Sequence, residues 1–215
     1  FRCNLVCIED GIMKDFTAGH IENEDGAKLL EELNKKMSDQ GVQFFPGVSY
    51  RNIALLDQKY KSLSCTAPHD ITDKEVGAFL PKGDFEEDLT RLWEDCHRFL
   101  LESETNRARV AQGKKPATHV WFWSQGPLPK LDPMADKWGL TGGVVTAVDL
   151  LRGLAVLTGL QAPNVEGATG FLDTNYEGKV EAALRLLDHG NFAYLHIEAP
   201  DECGHMGNPS LKTKA

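Results

Sequence analysis

The chain has 215 residues, with 23 Lys and Arg against 32 Asp and Glu, a formal net charge of -9, 41% hydrophobic residues and 26% charged ones. That length holds one large domain or two small ones, and the composition is that of an ordinary globular protein. The acidic balance argues against a general nucleic-acid binder, no apolar run reaches the length of a membrane span, and five cysteines without CxxC spacing read as reduced cytoplasmic thiols rather than a disulfide framework.

The chain starts at Phe1 inside an apolar run, without an initiator Met or a signal peptide, which predicts a piece cut from a longer protein. Residues 3–8 predict a strand in which Cys3 and Cys7 are small buried residues. Asp10-Gly11 between apolar runs is a hairpin signal into 12–15. Residues 23–26 supply N-cap types, and Leu29, Leu30, Leu33 and Met37 recur at helical period over 27–37. Strands are predicted over 42–45 and 50–56, broken at Pro46-Gly47. Residues 59–82 are turn-rich and predict a surface loop. Asp84 opens the clearest helix, with Phe85, Leu89, Leu92, Trp93, Cys96, Phe99 and Leu100 on one stripe. Its C-terminal end is expected to carry Asn106, Arg107 and Arg109.

The texture then changes. Residues 119–124 form a Trp-rich strand, and 125–129 a linker. Beyond it come helix 132–138, strand 143–148, helix 150–157, a short extended piece at 171–172, helix 178–187 and a buried strand over 192–197. Such alternation implies a parallel sheet with crossover helices. Two regions are therefore expected, α+β over 1–126 and α/β over 127–215.

Pro200 ends the last strand, and Asp201-Glu-Cys-Gly-His205 follows at once. Ligand groups gather past the carboxyl ends of such strands. If the following turn is helical, Asp201 and His205 point the same way and make half of a divalent-metal site. On spacing alone, a polar loop with a solvated Asp and a surface His is the favoured reading, because Asp-x-x-x-His is common by chance. Arg2, Arg51, Asn106, Arg107, Arg109, Arg152 and Lys179 are cationic or polar groups that would bind an anion if they converged. There is no P-loop and no Gly-x-Ser-x-Gly elbow. Cys203 near His205 reads as a buried thiol rather than a nucleophile.

One ordered series of motifs carries a resemblance. Phe1-Arg-Cys-Asn-Leu5, Tyr50-Arg51, Pro68-His-Asp70, Asn106-x-x-Arg109-x-x-x-Gly113, Trp121-x-Trp-x-Gln-Gly126, Gly167-Ala-Thr-Gly170, Asp173-Thr-Asn-Tyr176 with Lys179, and His196-Ile-Glu-Ala-Pro-Asp-Glu-Cys-Gly-His205 together resemble the archaeal-type cofactor-independent phosphoglycerate mutases of the alkaline phosphatase-like superfamily. The resemblance implies a three-layer α/β core portion with an inserted α+β substrate-binding domain. It implies interconversion of 3-phosphoglycerate and 2-phosphoglycerate through a phosphoserine, with two divalent ions (Mn, Mg or Zn) and a small phosphorylated hydroxy acid as substrate.

Residue by residue, the resemblance implies metal ligation by Asp201 and His205, and substrate binding by Arg2, Arg51, His69, Asp70, Asn106, Arg109 and Arg152. No serine matches the nucleophile's motif, Ser124 and Ser210 included, so no catalytic residue is assigned. The nucleophile and the remaining metal ligands are expected outside this chain, which alone should not turn over. A homoserine kinase-like phosphotransferase and a non-catalytic phospholigand-binding module are the alternatives.

Overall fold

The computed structural model describes residues 1–215, which divide into two compact units, Phe1–Pro127 and Leu128–Ala215. No helix is long and apolar enough to cross a membrane.

The first unit is built on β1 (Arg2–Glu9), whose six central residues are all buried. Asp10 and Gly11 both take positive φ, the twist of a two-residue hairpin turn, and return the chain as β2 (Ile12–Asp15). After α1 (Asn23–Lys36) come β3 (Gln43–Val48) and β4 (Arg51–Leu55). Two helices, α2 (Glu86–Glu102) and α3 (Glu104–Ala111), precede β5 (His119–Trp123). All pairings are antiparallel; the sheet runs β2-β1-β4-β3, with β5 also on β1.

Register decides which side chains meet. Arg2 lies opposite Ile53 and Trp123, and Asn4 opposite Arg51 and Trp121. Directly opposed residues share a face, so these six project to one side. The other side carries Cys3, Leu5, Val120 and Phe122 into the larger core, with Leu29, Leu30 and Leu33 of α1 and Leu89, Leu92, Cys96 and Leu100 of α2. Each fully buried Leu in such a core contributes about 1.5–3 kcal/mol.

Several local expectations change. α1 starts at Asn23, because the polar residues 23–26 enter its first turn rather than cap it, and the Asn23 carboxamide accepts a bond from Ser49 N instead. Pro46-Gly47 does not break β3; it is absorbed as an irregularity between Phe45 and Val48, and the chain reverses at Ser49-Tyr50. Residues 59–82 are not a surface loop. Three short 3-10 helices (Gln58–Ser62, Pro68–Ile71, Val76–Phe79) bury Tyr60, Ile71 and Val76. Ile71 and Val76 join Val6, Ile8, Met13 and Trp121 in a second, smaller core. The long helix stops at Ser103, whose hydroxyl accepts from Asn106 N and starts α3 afresh. Phe85 sits in the left-handed region and is exposed, so it is not on the stripe.

The second unit contains α4 (Met134–Trp138), β6 (Gly142–Val145), α5 (Asp149–Leu157), α6 (Tyr176–Leu187), β7 (Phe192–Leu195), α7 (Ala199–His205) and α8 (Pro209–Lys214). β6 and β7 pair in parallel, Val145 opposite Leu195. Successive β6 residues face opposite ways: Val145 packs with Ala182, Ala183 and Leu186 of α6, and Val144 with Ala155 of α5 and Leu160. Close approach explains Gly142, which has φ +137, and where a Cβ would lie 1.8 Å from Phe192 O. β7 is shorter than expected and not buried: Tyr194 is 45% and Leu195 37% exposed. Residues 171–172 lie in a turn, not an extended piece.

Candidate functional site

The first unit gathers one cluster of polar and aromatic groups on the face defined by Arg2, Asn4 and Trp123. The Arg2 guanidinium stacks 4.0 Å above the Trp123 ring. Trp123 Nε1 donates to Asn4 Oδ1 at 3.0 Å, and Asn4 Nδ2 donates to Phe16 O at 3.3 Å. His69 meets both Trp123 and Phe16 edge to face. Phe16 in turn meets Tyr50, over whose ring the Arg51 guanidinium lies at 4.4 Å. Arg2, Arg51 and His69 are therefore brought to one neighbourhood, with their polar ends exposed. Asp70 is exposed beside them, its carboxylate 3.6 Å from His69 Nε2.

Asn106 and Arg109 do not belong to this cluster. Asn106 is buried and its carboxamide bonds Leu100 O, Ala117 O and Ala117 N, tying α2 to the approach to β5. Arg109 is 2% exposed. Its guanidinium donates to Glu22, Asp25, Ala18 O and Lys115 O. Lys114 beside Glu22, with Arg109 on the same carboxylate, holds that carboxyl down to about 2. Four acceptors take the Nη1 and Nη2 hydrogens and the unpartnered Nε–H is buried, so no exposed edge is left for a substrate oxyanion. Both side chains serve the architecture of this unit, away from the cluster around Arg2 and Arg51.

In the second unit Arg152 lies on α5 and donates to Ala162 O and Pro163 O, pinning the segment that follows the helix. Asp201 and His205 do fall on a helix, α7, four residues apart, with Oδ2 and Nε2 separated by 3.2 Å. Both are exposed, while Cys203 between them is fully buried.

A network lies at the carboxyl ends of β6 and β7. Val148 N donates to Thr146 Oγ1 at 3.0 Å, and that hydroxyl meets His196 Nδ1 at 3.1 Å. This leaves His196 Nε2 to donate to Glu198 Oε2 at 3.0 Å. Glu198 is the residue preceding α7, so the network fixes where the helix with Asp201 and His205 begins. Lys179, 1% exposed, donates to Thr169 O at 3.1 Å. Burial pushes its pKa down, and the nearby Glu198 carboxylate works against that.

Sequence reasoning passed over Phe16 and Thr146, and gave no individual role to Asn4, Tyr50, Trp123, His196 and Glu198, which stand in the motifs quoted above. The two-residue spacing of Arg2-x-Asn4 and Trp121-x-Trp123 signals a shared strand face. Nothing in the sequence pairs Thr146 with His196, fifty residues apart.

A carboxylate and an imidazole 3.2 Å apart on one helix face suit two positions around a hard or borderline divalent ion. No group of three or more His, Cys, Asp or Glu side chains is placed to hold a metal ion. The pair thus fits a contribution to a metal centre, not a whole one.

Residues 1–106 match the family model for 2,3-bisphosphoglycerate-independent phosphoglycerate mutase. Along 215 residues the chain is 47% identical to the enzyme of that name from Methanothrix thermoacetophila, covering 100% of this chain and 54% of the relative. It is 43% identical to that of Methanosarcina barkeri and 42% identical to the probable one of Geobacter sulfurreducens, with 54% and 55% of those relatives covered. The chain therefore spans about half the length of the curated relatives it matches. Two solved structures share the fold at 23% identity. The PH0037 protein from Pyrococcus horikoshii superimposes at TM-score 0.76, covering 100% of this chain and 50% of that one. The cofactor-independent phosphoglycerate mutase from Thermoplasma acidophilum does so at 0.61, covering 90% and 52%. Similar along its whole length to these relatives and sharing its mixed α/β fold with these structures, the chain belongs to the 2,3-bisphosphoglycerate-independent phosphoglycerate mutase family.

Proposed function

We propose that this chain supplies the substrate-binding surface, and one part of the metal centre, of an enzyme that interconverts 3-phosphoglycerate and 2-phosphoglycerate through a phosphoserine. The observation that carries this is the convergence of Arg2, Arg51 and His69 on one sheet face. Two guanidinium groups present planar N–H forks that match phosphate and carboxylate, and phosphoglycerate carries one of each. His69, with Asp70 beside it, adds a ring N–H donor to that face. Arg2, Arg51, His69 and Asp70 are assigned to substrate; Arg152 is retained in that set through the family resemblance, with its guanidinium also holding the 162–163 backbone.

The first unit (1–126 with the start of the linker) is read as the inserted substrate-binding domain, and the second as part of the metal-binding core. Asp201 and His205 would hold a divalent ion, one of two in the intact enzyme, whether Mn, Mg or Zn. Such ions lower the pKa of a bound hydroxyl and neutralise phosphoryl charge. Glu198 and His196 keep the ligand helix in place, and buried Lys179 sets a positive charge beside Glu198. A cytoplasmic setting fits the five free cysteines.

The test is an NMR titration of the chain with 3-phosphoglycerate. Shifts are expected at Arg2, Arg51 and His69, with Arg2→Ala and Arg51→Ala each weakening binding about tenfold. The chain by itself is expected to show no mutase turnover, since its placed metal donors are two. Shifts with homoserine plus ATP and none with 3-phosphoglycerate would replace this reading by the kinase one. Turnover by the chain would overturn the division of labour.

A further inference from the structure

We propose that Trp123 and Tyr50 are positioning residues, aromatic platforms that hold the Arg2 and Arg51 guanidinium groups in place for an incoming oxyanion. The inference rests on the reading of Arg2, Arg51 and His69 as the substrate side, and goes beyond it by naming what orients them.

An exposed arginine has many rotamers, and ordering it on binding opposes affinity. The arginines of this chain that form ion pairs are Arg91, Arg98, Arg109 and Arg185. Arg2 and Arg51 instead lie over rings, at 4.0 and 4.4 Å from the centroids of Trp123 and Tyr50. Stacking engages the flat face of a guanidinium and leaves its in-plane N–H groups directed outward. A carboxylate partner would have occupied those same donors. The platforms therefore orient the cations without consuming the groups that recognise phosphate.

The platforms are themselves fixed. Trp123 is anchored through its indole N–H to Asn4, which is 3% exposed and holds Phe16 O. The Phe16 ring bridges to Tyr50 at 5.9 Å and to His69 at 6.1 Å, and His69 returns to Trp123 at 5.5 Å. Trp123, Asn4, Phe16 and His69 thus close a loop of contacts, Tyr50 joins it through Phe16, and Trp123 and Tyr50 carry the two arginines. Displacing either ring removes the floor beneath one arginine, and displacing Trp123 also removes one wall of His69.

The experiment uses the whole chain with 3-phosphoglycerate as probe. In the unsubstituted protein the Arg2 and Arg51 Nε–H resonances are expected upfield of random-coil positions, because each lies over a ring face. Resonances at random-coil positions would overturn the inference whether or not any variant folds. Trp123→Leu and Tyr50→Leu are each expected to weaken 3-phosphoglycerate binding about fivefold and to return the matching arginine resonance to its random-coil position. Trp123→Phe and Tyr50→Phe, which keep a ring, are expected to stay within about twofold and retain the shift. Binding that falls in Arg2→Ala and Arg51→Ala but survives in both Leu variants sinks the platforms and leaves the site reading intact. No binding by the unsubstituted chain, with the upfield shifts present, sinks the site reading instead.

Discussion

The two units handle the same problem, covering a sheet, with different completeness. In the first, the six central residues of β1 are buried by α1 and α2 on one face and by the 66–80 segment and Trp121 on part of the other. In the second, two short parallel strands pack against α5 and α6 through two small clusters. Leu150, Leu154, Val180, Leu184, Leu187, Tyr194 and Leu195 are left exposed there. Parallel strands are ordinarily covered on both faces. The first unit thus holds a self-sufficient core, whereas the second positions its functional groups through hydrogen bonds around strand ends more than through packing.

The strongest way to break this contrast is at Arg109. Removing a buried guanidinium leaves two backbone carbonyls without their donor, and Glu22 and Asp25 with Lys114 alone. Arg109→Ala is expected to destabilise the first unit by about 3 kcal/mol, followed by the fluorescence of Trp93, Trp121 and Trp123 in urea. At a temperature where the variant is folded, its affinity for 3-phosphoglycerate should be unchanged. A large loss of affinity with stability intact would return Arg109 to the binding surface.

A smaller effect follows from His119, buried and stacked on His97 at 3.8 Å and on Trp93 at 4.6 Å. Burial, and then the adjacent His97, pushes its pKa down to about 3. An unfolded chain protonates this imidazole near the ordinary value of 6.5. Below 6.5 the unfolded state takes up a proton that the folded state does not. Stability of the first unit should therefore fall as pH drops from 6.5 toward 3, by about 2 kcal/mol between pH 7 and 5. His119→Phe should flatten that part of the profile; an unchanged slope would assign it to other groups.

The smallest effect sharpens the comparison from the other side. Leu184 lies on α6 and is 59% exposed, while Leu186 is 7% exposed. Leu184→Lys should change stability by no more than about 0.5 kcal/mol. Leu186→Ala should cost about 2–3 kcal/mol, read from hydrogen exchange of β6 amides. Equal costs would mean that the exposed face of α6 is packed in solution.

Much of the fold was legible in the sequence because local chemistry dictates it. Asp10-Gly11 specified the first hairpin, the stripe from Leu89 to Leu100 specified α2, and Asp201 and His205 fell on a helix four residues apart. The ordered motifs carried a resemblance that the similarity to known relatives bears out. Two of the misread stretches share one cause: a distant partner overrode the local signal. Ser103 restarts a helix because Asn106 must reach Ala117 O; residues 59–82 fold against the sheet because Ile71 and Val76 find Val6 and Trp121. The same holds for the candidate site. The sequence by itself determined which residues carry charge, and the family that uses them. Tertiary structure alone decided that Arg2 and Arg51 sit on rings with their forks free, whereas Arg109 is enclosed. A guanidinium's role depends on which acceptors surround it, and those come from strands and helices far apart in the chain.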